Sequence, residues 1–137
     1  MIKVLIADDH PLVRSALGDI LAGTADIQVV AECADGSEVV EAAARTEPDV
    51  VLMDLVMPRM SGLEATRALL ATQPDVRVIV LTGSLSAAAA REALALGVAG
   101  FLLKADDDGD SLPVRIRAVA AGETAWHPAA VAQVHAS

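Results

Sequence analysis

The chain has 137 residues and a formal net charge of −9, which is enough length for one domain with a real core and too acidic a surface to grip a phosphate backbone unaided. It is 54% hydrophobic, but no apolar run approaches the roughly eighteen residues that a membrane span needs, and an aromatic content of 1% argues against flavin stacking or a single-strand nucleic-acid platform. With Cys33 as the only cysteine no internal disulfide can form, and no signal peptide stands ahead of the first strand, so a cytoplasmic location is expected.

In chain order, Val4-Leu5-Ile6-Ala7 reads as a first strand that ends in Asp8-Asp9. Pro11 suits the first turn of a helix, where its missing N–H costs nothing. Leu12, Val13, Ala16, Leu17, Ile20 and Leu21 then recur at helical spacing, and Gly23 closes the helix. Residues 27–33 form a second strand, Asp35-Gly36 a turn, and Val39, Val40 and Ala43 one face of a second helix that Pro48 stops. The third strand starts at Val50. A third helix runs from about Leu63 to Thr72, with Leu63, Thr66 and Leu70 inward.

Residues 76–81 make strand four, followed by Thr82-Gly83-Ser84. Ser86 caps a fourth helix over 87–96 that stops at Gly97. Residues 100–103 are a short fifth strand ending in Lys104, and Asp106 to Asp110 make an acidic, solvated loop that favours the next helix N-terminus. Leu112, Ile116 and Val119 line helix five, which stops at Gly122. The tail, residues 123–137, carries Trp126 and has room for a final helical turn. Five strands alternating with five helices define an α/β class with a parallel, doubly wound sheet.

The stretch from Val50 to Pro58 carries the functional signal. Four apolar residues run straight into Asp54, as in a strand buried on both faces. Asp54 alone fits either a solvated loop residue or a functional carboxylate. In an open α/β sheet, however, ligands bind at the carboxyl ends of the strands. Asp8, Asp9, Asp54, Thr82 and Lys104 all fall at such ends. In a sheet ordered 2-1-3-4-5, strands one and three are neighbours, so three carboxylates converge and repel one another. A divalent cation such as Mg²⁺ relieves that repulsion. A cation, a lysine and a hydroxyl around one carboxylate suit an aspartate that receives a phosphoryl group, with Asp54 as nucleophile and Lys104 and Thr82 at its sides.

The sequence resembles the receiver domain of two-component response regulators, with a flavodoxin-like fold. The resemblance covers residues 1–122 and rests on five markers in order: Asp8-Asp9, Asp54 followed by Met57-Pro58 and Gly62, Thr82-Gly83, Phe101 and Lys104. The stretches Asp8 to Arg14 and Gly62 to Thr66 are further similar to the NarL/FixJ (LuxR-type) branch. The resemblance implies that Asp54 is the phosphoacceptor. It implies that Asp9, Asp54 and the Val56 carbonyl bind Mg²⁺ directly, that Asp8 acts through metal-bound water, and that Thr82 and Phe101 form the switch. Val56 and Ser84, each two residues beyond a site residue, would tune dephosphorylation.

The domain is then a signalling module rather than an enzyme, apart from self-phosphorylation by small phosphodonors and self-dephosphorylation. Its expected partners are a sensor histidine kinase and, once phosphorylated, a second copy, through helix four, strand five and helix five or through helices one and five. DNA would be reached only through a C-terminal domain that this chain lacks, and residues 123–137 would begin the linker to it. No membrane partner is expected. One departure from the commonest receiver pattern is Ala105, where many receivers place a proline after the lysine.

Other assignments meet specific obstacles. A haloacid-dehalogenase-type phosphatase needs a second acid two positions after the nucleophile, and that position is Val56. A flavodoxin needs a Ser/Thr-rich loop where Asp8-Asp9 stands, and no GxxxxGK[ST] loop is present. The remaining alternative is a degenerate receiver that binds proteins independently of phosphorylation. His10 precedes Pro11 at a helix start and is read as structural; His127 and His135 are assigned no role.

Overall fold

A computed structural model describes residues 1–104 and 111–135. Ala105 and the acidic run 106–110 lie outside the described residues. A six-stranded parallel sheet is ordered β2-β1-β3-β4-β5-β6. Its strands are β1 (Ile2–Ala7), β2 (Ile27–Cys33), β3 (Val50–Met53), β4 (Arg77–Thr82), β5 (Gly100–Leu103) and β6 (Ala125–Trp126). The helices are α1 (Pro11–Ala22), α2 (Val39–Thr46), α3 (Gly62–Thr72), α4 (Ala87–Leu96), α5 (Ser111–Ala120) and α6 (Pro128–His135), with a 3₁₀ turn at Gly36–Glu38.

The near-continuous apolar runs of the central strands follow from two-sided burial. Alternate residues go to opposite faces. Leu5, Val51, Val78, Val80 and Phe101 pack with Ala43 of α2, Ala65 and Leu69 of α3, Ala90 and Ala93 of α4 and Ala130 of α6. Val4, Ile6, Leu52, Ile79, Leu81 and Leu102 pack with Leu17 and Leu21 of α1 and with Leu112, Ile116 and Val119 of α5. The register Ala7↔Met53 and Met53↔Val80 brings the ends of β1, β3 and β4 level, so whatever follows those strands meets at one edge.

Two sequence expectations need correction. Among the described residues the five-strand, five-helix count becomes six and six, because the tail adds β6 and α6. Gly100 pairs with Ala125 and Phe101 with Trp126. A Cβ at position 100 would lie 3.0 Å from the Ala125 carbonyl oxygen, so glycine there lets the tail come close. The α6 helix lies against α4. A two-residue strand has no alternation to read, which is why β6 leaves no sequence signal. The helix faces also differ in detail. Of the α1 stripe only Leu17 and Leu21 are buried, and Leu12 is 85% exposed. In α3 the buried residues are Gly62, Ala65, Thr66 and Leu69, while Leu63 and Leu70 sit at the margin. The stripe expected for α5 is buried as read.

Candidate functional site

Asp8 directly follows β1, Asp54 follows β3, Thr82 ends β4 and Lys104 follows β5. Backbone bonds that continue the ladders fix the first two: the Asp8 amide donates to the Cys33 carbonyl at 3.0 Å and the Asp54 amide to the Ala7 carbonyl at 2.9 Å. Both carboxylates are buried. The Lys104 Nζ reaches across to Asp8 Oδ2 at 2.6 Å and to Asp54 Oδ2 at 3.3 Å. Asp8, Asp9, His10 and Asp54 each offer a ligand atom, all within 4.8 Å of one another.

The electrostatics follow from this crowding. Burial pushes the Asp54 carboxyl above its ordinary range; Lys104 opposes that shift and the Asp8 charge adds to it. For Lys104, burial alone would lower the pKa, but its hydrogen bond to Asp8 and the charges of Asp54 and Asp8 raise it. The lysine is thus held as a cation between two carboxylates. Among the described residues, Asp9 Oδ1 is a buried oxygen without a hydrogen-bond partner. A cluster of carboxylate oxygens with one left unsatisfied fits a hard divalent cation of the Mg²⁺ kind.

His10, read as a structural residue at the helix start, also borders the site. Its Nδ1 lies 3.1 Å from both Asp8 Oδ1 and Asp9 Oδ1, with hydrogen-bond geometry only to Asp8. Its backbone amide also donates to Asp8 Oδ1 at 2.9 Å. The ring is therefore part of the acidic cluster's rim. Thr82 is buried, and its hydroxyl engages its own loop, donating to the Ser84 carbonyl at 3.2 Å and accepting from the Ser84 amide at 3.3 Å. Phe101 is fully buried and stacks on Trp126 with ring centroids 5.4 Å apart. Val56 is 70% exposed, and Ser84 is exposed too.

The structure thus brings Asp8, Asp9, Asp54 and Lys104 into one cluster. Thr82, at the end of β4, bonds the Ser84 backbone, and Phe101 lies inside the core. Sequence reasoning missed Asp35, which it treated as a turn residue. Asp35 hydrogen-bonds the backbone of Arg59 and Met60 in the loop after Asp54. An Asp-Gly pair after β2, on the same sheet edge, was the only available hint.

A parallel α/β sheet thus carries an acidic cluster and a lysine at its carboxyl edge, the edge where open sheets of this kind bind ligands. The family model for the response regulator receiver domain matches residues 4–117, and the chain belongs to that family. The chain is 40% identical over 127 residues to the transcriptional regulatory protein DegU of Brevibacillus brevis, covering 93% of this chain and 53% of that protein. It superposes on a LuxR-family response regulator from Aurantimonas sp. SI85-9A1 with a TM-score of 0.88 at 32% identity, covering 96% and 94% of the two chains.

The receiver domain of RcsB from Salmonella enterica serovar Typhimurium, solved with a beryllofluoride phosphomimetic, superposes at 0.86 with 25% identity, covering 98% and 99%. These relatives place the chain among receivers of the NarL/FixJ type, and the curated ones are named as transcriptional regulators. The chain spans about half the length of curated relatives such as DegU and GacA. Receiver domains bind Mg²⁺ at an acidic pocket, and this chain groups Asp8, Asp9, His10 and Asp54 into an acidic cluster. They are signalling domains rather than classical enzymes, and no helix among the described residues is long and apolar enough to cross a membrane.

Proposed function

We propose that this receiver is a phosphorylation-driven switch with Asp54 as phosphoacceptor. The observation that carries the reading is the buried Asp54 carboxylate, with Lys104 Nζ at 3.3 Å and an unsatisfied Asp9 oxygen in the same cluster. An Asp54 oxygen attacks phosphorus, and the bond to the donor, a histidine of a sensor kinase or a small phosphodonor, breaks as the new P–O bond forms. Asp9, Asp54 and the Val56 carbonyl would hold Mg²⁺, with Asp8 acting through water. When bound, the cation neutralises the clustered carboxylates and the phosphoryl oxygens. Lys104 leaves its carboxylate contacts to hold a phosphoryl oxygen.

Thr82 turns from the Ser84 backbone toward the new charge, and Phe101 repacks behind it. The altered surface, whether α4, β5 and α5 or α1 and α5, then pairs with a second copy. The related protein RcsB has been solved as two dimers bound to two parallel DNAs. In this protein, residues 1–122 would be the receiver and residues 123–137 would lead toward a DNA-binding domain, so that phosphorylation controls transcription.

The test is Mg²⁺-dependent labelling by acetyl phosphate, followed on a phosphate-affinity gel. The wild type is expected to label to one equivalent and Asp54→Asn to none, with its circular dichroism unchanged. Absence of labelling in the folded wild type would favour the phosphorylation-independent binding module. Labelling of Asp54→Asn at another aspartate would refute the assignment of Asp54.

A further inference from the structure

Asp35 is a buried carboxylate that the proposed phosphotransfer does not use. It follows β2 at the same sheet edge as the site and is 6% exposed. Its Oδ2 accepts from the Ser37 amide at 2.9 Å and from the Ser37 hydroxyl at 2.6 Å, capping the 3₁₀ turn. The same side chain reaches a second loop: Oδ1 accepts from the Arg59 amide at 2.9 Å, and Oδ2 from the Met60 amide at 3.3 Å. The Ser37 hydroxyl first, then the Arg59 and Ser37 amides, outweigh burial and hold the carboxyl at about 2. It is therefore ionised throughout the physiological range. Gly36 brings the two loops backbone to backbone, since a Cβ there would lie 2.4 Å from the Met60 carbonyl oxygen and 3.0 Å from that of Ser61.

The loop held in this way is the one that begins at Asp54. At its base the Gly62 amide donates to the Leu55 carbonyl at 2.8 Å, and a Cβ at position 62 would lie 2.0 Å from the Asp54 carbonyl oxygen. At its far side, among the described residues, the Asp35 side chain grips its backbone amides. In between, Leu55 and Met57 are buried and tie the loop to the core, while Val56, Pro58 and Arg59 are exposed and bury little. Fixing each such residue costs about 1–2 kcal/mol of conformational entropy. A loop held in place beforehand does not meet that cost again when a ligand binds. A helix cap alone would need only the Ser37 contacts; the bonds to Arg59 and Met60 serve the second loop.

We propose that Asp35 is a positioning residue that acts through the Arg59 and Met60 amides to hold the backbone of residues 54–61 ready for the divalent cation. This rests on the reading of Asp54, Asp9 and the Val56 carbonyl as the cation's ligands. The cation itself is the probe: Mg²⁺ titrated calorimetrically into wild type, Asp35→Ala, Asp35→Asn and Gly36→Ala, each checked for folding by circular dichroism. Asp35→Ala and Gly36→Ala are expected to raise the Mg²⁺ Kd about tenfold, in line with losses of outer-shell partners at metal sites.

Asp35→Asn should fall between them and wild type, because the bonds to Ser37 and Arg59 use different carboxylate oxygens and an asparagine keeps only one acceptor oxygen, turning an NH₂ toward the other donor. At saturating Mg²⁺ the labelling rate by acetyl phosphate should stay within about twofold of wild type, a split that lost stability would not produce. If Asp35→Ala fails to fold, Asp35→Asn and Gly36→Ala carry the test alone. Unchanged Kd values in folded variants would overturn the role of Asp35 while leaving Asp54 as phosphoacceptor intact. No Mg²⁺ binding by the wild type would overturn the reading of the cation site, and this proposal with it.

Discussion

Replacing Asp54 by asparagine is expected to make the metal-free protein more stable, although it removes the residue on which the function depends. At an effective dielectric constant of about 20, Lys104 Nζ at 3.3 Å attracts the Asp54 charge by about 5 kcal/mol. Asp8 and Asp9 each present an oxygen within 4.8 Å, and each repels it by about 3.5 kcal/mol or more. The balance favours a neutral group by roughly 2 kcal/mol before any relief of desolvation. The Asp9 side chain is 26% exposed, so water screens part of its share, and a net gain of about 1 kcal/mol is a sober expectation.

For a domain of this size that is a rise of about 4 °C in Tm. The assay is thermal unfolding by circular dichroism at neutral pH, in chelator and again with Mg²⁺. In chelator Asp54→Asn should melt higher. With Mg²⁺ the wild type should gain more and close the gap, because a ligand stabilises the form that binds it better. The pH dependence has a fixed sign. The Asp54 pKa is raised in the fold, so the native state holds the proton more tightly than the unfolded chain. The resulting destabilisation is absent below the ordinary value of 3.8 and grows as pH rises through the raised pKa. Asp54→Asn should lack that slope. A variant that melts at or below wild type in chelator would show that the lysine contact outweighs the repulsion, and would refute the reasoning.

Three further outcomes are expected. Val56→Asn should speed decay of the phosphorylated form on the order of tenfold, about 1.4 kcal/mol in the barrier, because the exposed Val56 side chain can orient no attacking water and an amide can; decay measured with donor removed and Mg²⁺ present checks it, and unchanged decay would contradict it. Lys104→Ala should still bind Mg²⁺ but fail to dimerise on phosphorylation, as read by sizing chromatography with a phosphate mimic; normal dimerisation would remove Lys104 from the switch. Asp35 contributes stability that is present above 3.8 and lost as pH falls toward about 2. Asp35→Asn should therefore unfold more readily at neutral pH and show a flatter acid limb in chemical denaturation below pH 4.

The four strands that carry the site, β1, β3, β4 and β5, could be read from the sequence because each is a short, mostly apolar run that ends at a polar residue, as burial on both faces requires. Asp54 and Lys104 followed from that, since the strand ends define the edge where side chains meet. What escaped was set by contacts between distant segments. His10 looked like a helix-start residue, and only the fold shows its ring beside Asp8 and Asp9. Asp35 looked like half of a turn, and no local pattern announces a bond to an amide 24 residues on. Leu12 fitted the helical stripe of α1 but lies where the sheet gives that helix nothing to cover. Periodicity reports which residues share a face; it does not say how far along the face the neighbouring layer extends.

The stack of Phe101 on Trp126 has an optical consequence. These two are the only aromatic residues in the chain apart from histidine, since it has one phenylalanine, one tryptophan and no tyrosine. Indole emission from this protein therefore comes from a single fluorophore, seated on the ring that the switch would move. Its wavelength and lifetime report the surroundings of Trp126, that contact among them, without a background from other fluorophores. Phosphodonor added in a stopped-flow instrument would read repacking at Phe101 in real time, in unlabelled wild-type protein, and Phe101→Leu would supply the blank.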